Sequence, residues 1–189
     1  MLLDNQAQQV LEQAELIYSA EQVNLAIDQL ALQINQQLMD TTQPVIALPI
    51  MNGGLVLSGH LITRLQFPLV IDYLHATRYR NTTSGSNQLE WKVKPQLSLK
   101  NRTLLVIDDI FDEGHTLQAV LEFCQQQGAE QVYSAVLVEK NHPRPKAQIK
   151  SDFTGLSVED RYVFGFGMDY KGYHRNLNGI YAVGKDHHE

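Results

Sequence analysis

Hydrophobic positions along this chain change period several times, and each change marks an element. From residue 4 to 39 the pattern is helical. Val23, Ile27, Leu30, Ile34 and Leu38 recur every three or four positions, the spacing of one buried helix face. Ser19 followed by Gln22 resembles a capping box and opens the second helix of this stretch, whose many glutamines form a solvated side. Residues 45–50 are a short apolar strand, followed by the turn Met51-Asn52-Gly53-Gly54 and a helical stretch to Leu65. Residues 67–75 form another strand, and residues 78–87 are a polar run with too few apolar side chains to pack. A strand and a helix fill residues 103–127, with Gly128 as the C-cap, and residues 132–138 are a further buried strand. Beyond His142-Pro143-Arg144-Pro145 only short strand-like pieces remain, around Phe153 and over residues 162–166. Strands alternating with helices predict an α/β fold with a mostly parallel central sheet flanked by helices. No repeat or linker divides the chain, so residues 1–189 are expected to form one domain: N-terminal helices over 1–40, a core over 41–140, and a hood and tail over 141–189. The N-terminal helices and the irregular C-terminal third are expected to make the small cap over the sheet.

Candidate chemistry concentrates in one run, Leu104-Leu105-Val106-Ile107-Asp108-Asp109-Ile110-Phe111-Asp112-Glu113-Gly114-His115-Thr116-Leu117. Ligands of open α/β sheets bind beyond the carboxyl ends of the strands. Here a buried strand ends in two adjacent acids, and a loop with a third acid, a glycine and a threonine leads into a helix. Free N–H groups and the helix dipole make such a turn an anion site. Gly114 lets the backbone approach a phosphate, and Thr116 can add a hydroxyl donor. Asp108 and Asp109 suit sugar hydroxyls or a hydrated divalent cation. Together they argue for a ligand that carries both phosphate and ribose.

Composition changes this picture little. A chain that is 43% hydrophobic and 19% charged is globular rather than disordered. Its net charge of −6 argues against a nucleic-acid or membrane-surface partner. It has no apolar run of membrane-spanning length and no signal-peptide pattern at Met1-Leu2-Leu3-Asp4. Cys124 is the lone cysteine, which excludes an intrachain disulfide and fits a reducing cytoplasm; inside the helix it reads as a buried structural thiol.

Four further segments bear on the site. Asn52-Gly53-Gly54 follows a strand and opens a helix, and reads equally as a second anion-binding turn or a plain flexible one. The run over 78–87 is open to two readings, a lid or a variable surface loop. Lys140 ends a strand on the same edge as the phosphate turn and can donate to a carbonyl oxygen, although a lone lysine is usually a solvated one. In Asp160-Arg161-Tyr162-Val163-Phe164-Gly165-Phe166-Gly167-Met168-Asp169-Tyr170, Phe164 and Phe166 suit the core. Tyr162 offers a face for a flat base, Asp169 suits a metal, and Arg175 is a cation for pyrophosphate.

The central run resembles the phosphoribosyl-pyrophosphate (PRPP) motif of type I phosphoribosyltransferases. The blocks over 49–54, 104–117, 137–140 and 160–175 together resemble the hypoxanthine-guanine branch of that family. The resemblance implies that family's fold, with a small hood over the C-terminal edge of the strands. It implies Mg²⁺-dependent transfer of the phosphoribosyl group from PRPP to N9 of hypoxanthine or guanine, giving IMP or GMP plus pyrophosphate in purine salvage. The alternatives are a xanthine-preferring transferase and a non-catalytic PRPP or nucleotide sensor of the same fold. The backbone of Glu113, Gly114, His115 and Thr116 would hold the 5′-phosphate, and Asp108 and Asp109 the ribose and the metal's water shell. Asp112 would be the general base near purine N7. Lys140 would bind O6, Tyr162 would stack on the base, and the Val163 carbonyl would meet the 2-position. Asn52, Gly53 and Arg175 would face pyrophosphate, Asp169 would bind Mg²⁺, and Arg78-Tyr79 would belong to the mobile lid. Asn52 departs from the family's usual Lys or Arg, Arg78 from its usual Ser, and Glu113 brings a carboxylate beside a phosphate, so its side chain must turn away. A homodimer or homotetramer is also implied.

Overall fold

The computed structural model describes residues 5–78 and 89–184. The chain begins with α1 (Asn5–Glu12), β1 (Glu15–Tyr18) and α2 (Ala20–Leu38), so the helical stretch expected over 4–39 is interrupted by a strand. β1 exists because it pairs antiparallel with β10 (Ile180–Ala182), which lies far away in sequence and leaves no local periodicity. Ser19 then caps α2 through a full capping box, the Ser19 hydroxyl accepting from Gln22 N–H and the Gln22 side chain accepting from Ser19 N–H.

Next come β2 (Val45–Met51), α3 (Gly54–Leu61) with a 3₁₀ turn over Ile62–Arg64, β3 (Leu69–Ile71) and β4 (Leu74–Arg78). The single strand expected over 67–75 is therefore two, both parallel to β2 at successive stretches of its length. They part at Asp72, whose carboxylate accepts from the N–H groups of Tyr73, Gln96 and Leu97. β5 (Leu89–Val93) returns antiparallel to β4. Of the expected lid over 78–87, the Arg78 backbone closes β4, and the remainder, Tyr79 included, lies outside the described residues.

β6 (Thr103–Phe111), α4 (His115–Gln126), β7 (Gln131–Asn141) and β8 (Phe153–Glu159) complete the central sheet, ordered β5-β4-β2-β6-β7-β8 and parallel except for β5. The continuous apolar runs of β2 and β6 divide by the two-residue strand period. Val45, Ala47, Leu105 and Ile107 meet the Val23-Ile27-Leu30-Ile34-Leu38 face of α2, while Ile46, Leu48, Leu104 and Val106 meet Leu117, Val120 and Cys124 of α4. Each fully buried Leu or Ile contributes about 1.5–3 kcal/mol relative to exposure. α2 thus packs on the sheet instead of joining the cap, and β8, from the stretch expected to be hood, is an edge strand of the sheet. The hood is a second sheet, β1-β10-β9 with β9 (Val163–Phe164), resting on Val10, Phe164 and Tyr170. No helix among the described residues is long and apolar enough to cross a membrane.

Register decides where chemistry can gather. Pro49 pairs with Ile107, Asp108 with Val136 and Phe111 with Glu139. The exits of β2, β6 and β7 therefore share one edge of the sheet.

Candidate active site

A cleft of about 670 Å³ opens at that edge, lined by Asn52, Gly53, Asp108, Asp109, Asp112 to Thr116, Asp169 and Arg175. The PRPP-side residues expected from sequence thus converge, although they come from three loops far apart in the chain.

At the exit of β6, Asp109 is buried and Asp108 half-buried, and the Asp109 N–H donates to Asp108 Oδ1 at 3.0 Å. Burial pushes the Asp108 carboxyl well above the usual range, and the neighbouring Asp109 adds to the rise. Burial raises Asp109 too, against the pull of its hydrogen bonds and of Arg175. Such a pair favours a cation or hydroxyl donors. Space around it is reserved for backbone: a Cβ on Gly53 would lie 2.2 Å from Asp109 Oδ2, and one on Gly167 would lie 2.4 Å from the Gly53 carbonyl oxygen. The hood turn over residues 165–175 therefore presses directly on the β2 and β6 exits.

The turn expected to hold phosphate is shaped by Gly114, which at φ 80° occupies the left-handed region where glycine is favoured, and whose missing Cβ accommodates the Phe111 ring. α4 starts at His115, so its first N–H groups lack intrahelical acceptors and face the cleft as an anion site. The β7–β8 loop braces this turn, Ala147 N–H donating to the Glu113 carbonyl at 2.7 Å.

Asp112 sits among cations. Lys140 Nζ donates to its Oδ2 at 3.0 Å and Arg144 to its Oδ1 at 2.8 Å. His142 Nε2 is 2.9 Å from Oδ1 but badly aligned, so neither nitrogen of this fully buried ring makes a hydrogen bond among the described residues. Burial pushes the Asp112 carboxyl up, but Lys140, Arg144 and His142 together outweigh it and hold the pKa below its ordinary value. Asp112 is consequently ionised at neutral pH and ready to accept a proton or an N–H.

On the opposite wall Arg175 donates to the Gly167 carbonyl, pairs with Asp169 Oδ1 at 2.5 Å and stands 3.8 Å from Asp109. Gly172 N–H holds the other Asp169 oxygen at 2.6 Å. Asn52 lines the cleft beside Gly53 and brings no charge.

The base-side residues are less gathered. Lys140 is buried and reaches the site through Asp112. Tyr162 is 46% exposed and edge-on to Tyr170, and neither it nor Val163 lines the main cleft. Val163 pairs with Ala182 and faces a separate cavity of about 350 Å³ beside β1.

Of the lysines and arginines that line the cleft, Lys92 and Arg144 had no role assigned from the sequence. The alternation Leu89-Glu90-Trp91-Lys92-Val93 is a strand signal that could have shown Lys92 on one face. Arg144 lies four residues beyond Lys140 between two prolines, and nothing local indicates where such a turn points.

A parallel sheet carrying a phosphate turn behind two acids, with a hood closing on it, defines a phosphoribosyltransferase. The phosphoribosyl transferase domain model matches residues 13–171, and the chain belongs to that family. Among curated proteins it is similar to the hypoxanthine-guanine phosphoribosyltransferase of Bacillus subtilis, 29% identical over 163 residues that cover 86% of this chain and 89% of the relative. The enzyme of the same name from Staphylococcus aureus is 26% identical over the same shares. Among solved structures, a hypoxanthine phosphoribosyltransferase from Staphylococcus aureus superposes with a TM-score of 0.82 at 25% identity, covering 89% of this chain and 90% of that one. The hypoxanthine phosphoribosyltransferase of Trypanosoma cruzi, 19% identical, shares the fold at a TM-score of 0.85 over 93% and 98% of the two chains.

Proposed function

We propose that this chain transfers the 5-phosphoribosyl group from PRPP to N9 of hypoxanthine or guanine, forming IMP or GMP and pyrophosphate as a purine salvage step in the cytoplasm. The observation that carries the 6-oxopurine choice is Lys140, buried and 3.0 Å from Asp112, which lines the phosphoribosyl cleft. An ammonium there donates to a carbonyl O6 and disfavours a 6-amino group, and the names of the relatives support the same bases.

In the reaction the bond from C1′ to the pyrophosphate oxygen breaks, and pyrophosphate leaves with the electron pair. The N9 lone pair forms the new bond to C1′, and the proton on N7 passes to Asp112. Its lowered pKa keeps Asp112 charged to receive the N7–H, while Lys140 turns from Asp112 towards O6. N–H groups from Glu113 to Thr116 and the Thr116 hydroxyl anchor the 5′-phosphate. Asp108 and Asp109 hold the ribose hydroxyls, and Asn52, Gly53 and Arg175 receive pyrophosphate. Tyr162 stacks on the base and Val163 bounds its 2-position. Arg78 and Tyr79 would belong to a lid that excludes water.

Among the described residues no three His, Cys, Asp or Glu side chains converge into a metal cage. Mg²⁺ needs none when it binds through one or two carboxylates, water and substrate phosphates, so Asp169, with Asp108 and Asp109 through water, fits it. When bound, Mg²⁺ would neutralise charge on the departing pyrophosphate. The exposed Leu25 and Leu32 of α2, in line with Met39 at its C-cap, support a homodimer or homotetramer.

The test is Asp112→Asn in an assay of IMP formation. A general base contributes about 10²–10⁴ in rate, so kcat should fall by about that factor while PRPP affinity stays within roughly threefold. Unchanged turnover would remove Asp112 from the chemistry.

A further inference from the structure

Glu113 is the anomaly of the phosphate turn, a carboxylate in the loop that must welcome a phosphate. The arrangement around it is specific. Arg144 Nη1 donates to Glu113 Oε1 at 3.2 Å, and Nη2 donates to both Asp112 Oδ1 and Asp160 Oδ1 at 2.8 Å. His115 Nε2 stands 4.0 Å from the other Glu113 oxygen. One guanidinium thus joins the phosphate turn, the base-side carboxylate and the loop between β8 and β9. Its own loop is fastened to the same turn twice more, by Ala147 N–H on the Glu113 carbonyl at 2.7 Å and by Lys146 Nζ over the Phe111 ring at 5.4 Å. This loop is built against the turn, and Arg144 is its charged contact with the Glu113 side chain.

We propose that Arg144 is a positioning residue that neutralises Glu113 and draws its carboxylate away from the 5′-phosphate, so that a turn containing an acid still binds an anion. The proposal rests on the phosphoribosyl reading of the cleft. In this role Arg144 acts through Glu113 and not on the substrate. In its absence the Glu113 carboxylate loses its guanidinium partner and repels the phosphate. The pair is partly exposed, with side chains 40% and 31% accessible, so solvent screening limits the effect.

The experiment is a double-mutant cycle read by calorimetric binding of ribose 5-phosphate, a probe that occupies the phosphate turn without needing a purine. Arg144→Ala should weaken binding by roughly fivefold. Adding Glu113→Gln should return most of that loss, because the charge that needed neutralising is gone. A parallel cycle with Asp160→Asn should show no such recovery, which separates neutralisation of Glu113 from general loosening of the loop. Unchanged binding in Arg144→Ala, or a loss that persists in full in the Glu113→Gln double variant, would overturn the proposal. Should Arg144→Ala fail to fold, Arg144→Gln enters the same cycle with the same two outcomes. Wild-type protein that binds no ribose 5-phosphate would instead overturn the phosphoribosyl reading itself.

Discussion

Gly53→Ala displaces Asp109 with a single methyl group. Gly53 has φ −60° and ψ −50°, helical values open to any residue, so its requirement for glycine is one of space and not of backbone conformation. The added Cβ would stand 2.2 Å from Asp109 Oδ2 and 2.4 Å from its Cγ. Ordinary non-bonded contact lies near about 3.5 Å, so the carboxylate must retreat by about 1 Å. Gly167 and Arg175 stand close around Asp109, and the retreat is not free. Overpacking of this kind costs about 1–3 kcal/mol, a fall in Tm of roughly 3–10 °C for a chain of this size. Hydrogen bonds from a charged group contribute about 1.5–3 kcal/mol each, so displacing Asp109 from the ribose should lower kcat/KM for PRPP by about 10–100-fold. Gly59→Ala is the control. Its Cβ meets nothing within 4 Å on α3, and it should stabilise the protein by about 0.5–1 kcal/mol. Thermal melts and steady-state kinetics read both variants. Wild-type kcat/KM in Gly53→Ala would refute the placement of Asp109 against the substrate.

Two further outcomes concern the cleft and a third the core beneath α4. Asp108 has its folded pKa raised by burial and by Asp109, so its contribution to stability is present below the ordinary carboxylate pKa and lost as pH rises through the raised value. Asp108→Asn should therefore raise the Tm of the ligand-free protein at pH 7 relative to wild type, with the gap closing towards pH 4, while PRPP binding is lost; a lower Tm at pH 7 would contradict the strained-carboxylate reading. Lys92 lines the cleft where Asn52 brings no charge, so Lys92→Ala should raise KM for PRPP by about threefold to tenfold, and an unchanged KM would show that Lys92 stays out of the complex. The Cys124 thiol is buried, and burial pushes its pKa up to about 12, so thiol reagents should label it only under denaturing conditions.

What the sequence made legible, and what it hid, divide by locality. The run from Leu104 to Thr116 could be interpreted because strand, acids, glycine and helix N-terminus are consecutive, and the structure keeps them together in one cleft. β1 was hidden inside a helical pattern because its partner, β10, lies at the other end of the chain, and long-range pairing overrode local propensity. The hood therefore draws on both chain ends. Asp112 was found as a carboxylate after a strand, but its three basic neighbours depend on how the end of β7 and the β7–β8 loop fold back. Lys140, His142 and Arg144 alternate along a turn, and no periodicity indicates that all three face one acid. The Glu113 side chain was expected to turn away from the phosphate; in the structure it pairs with Arg144 at the cleft wall, a contact that no local pattern announces.

The most direct test of 6-oxopurine transfer is nucleotide formation by wild-type protein with PRPP, Mg²⁺ and one purine at a time, followed by ultraviolet spectra. Hypoxanthine should give IMP and guanine GMP, each with stoichiometric pyrophosphate, and adenine should give no product. Turnover confined to xanthine, turnover of adenine, or no nucleotide from any base would contradict the assignment of Lys140 and Asp112 as the purine-reading pair.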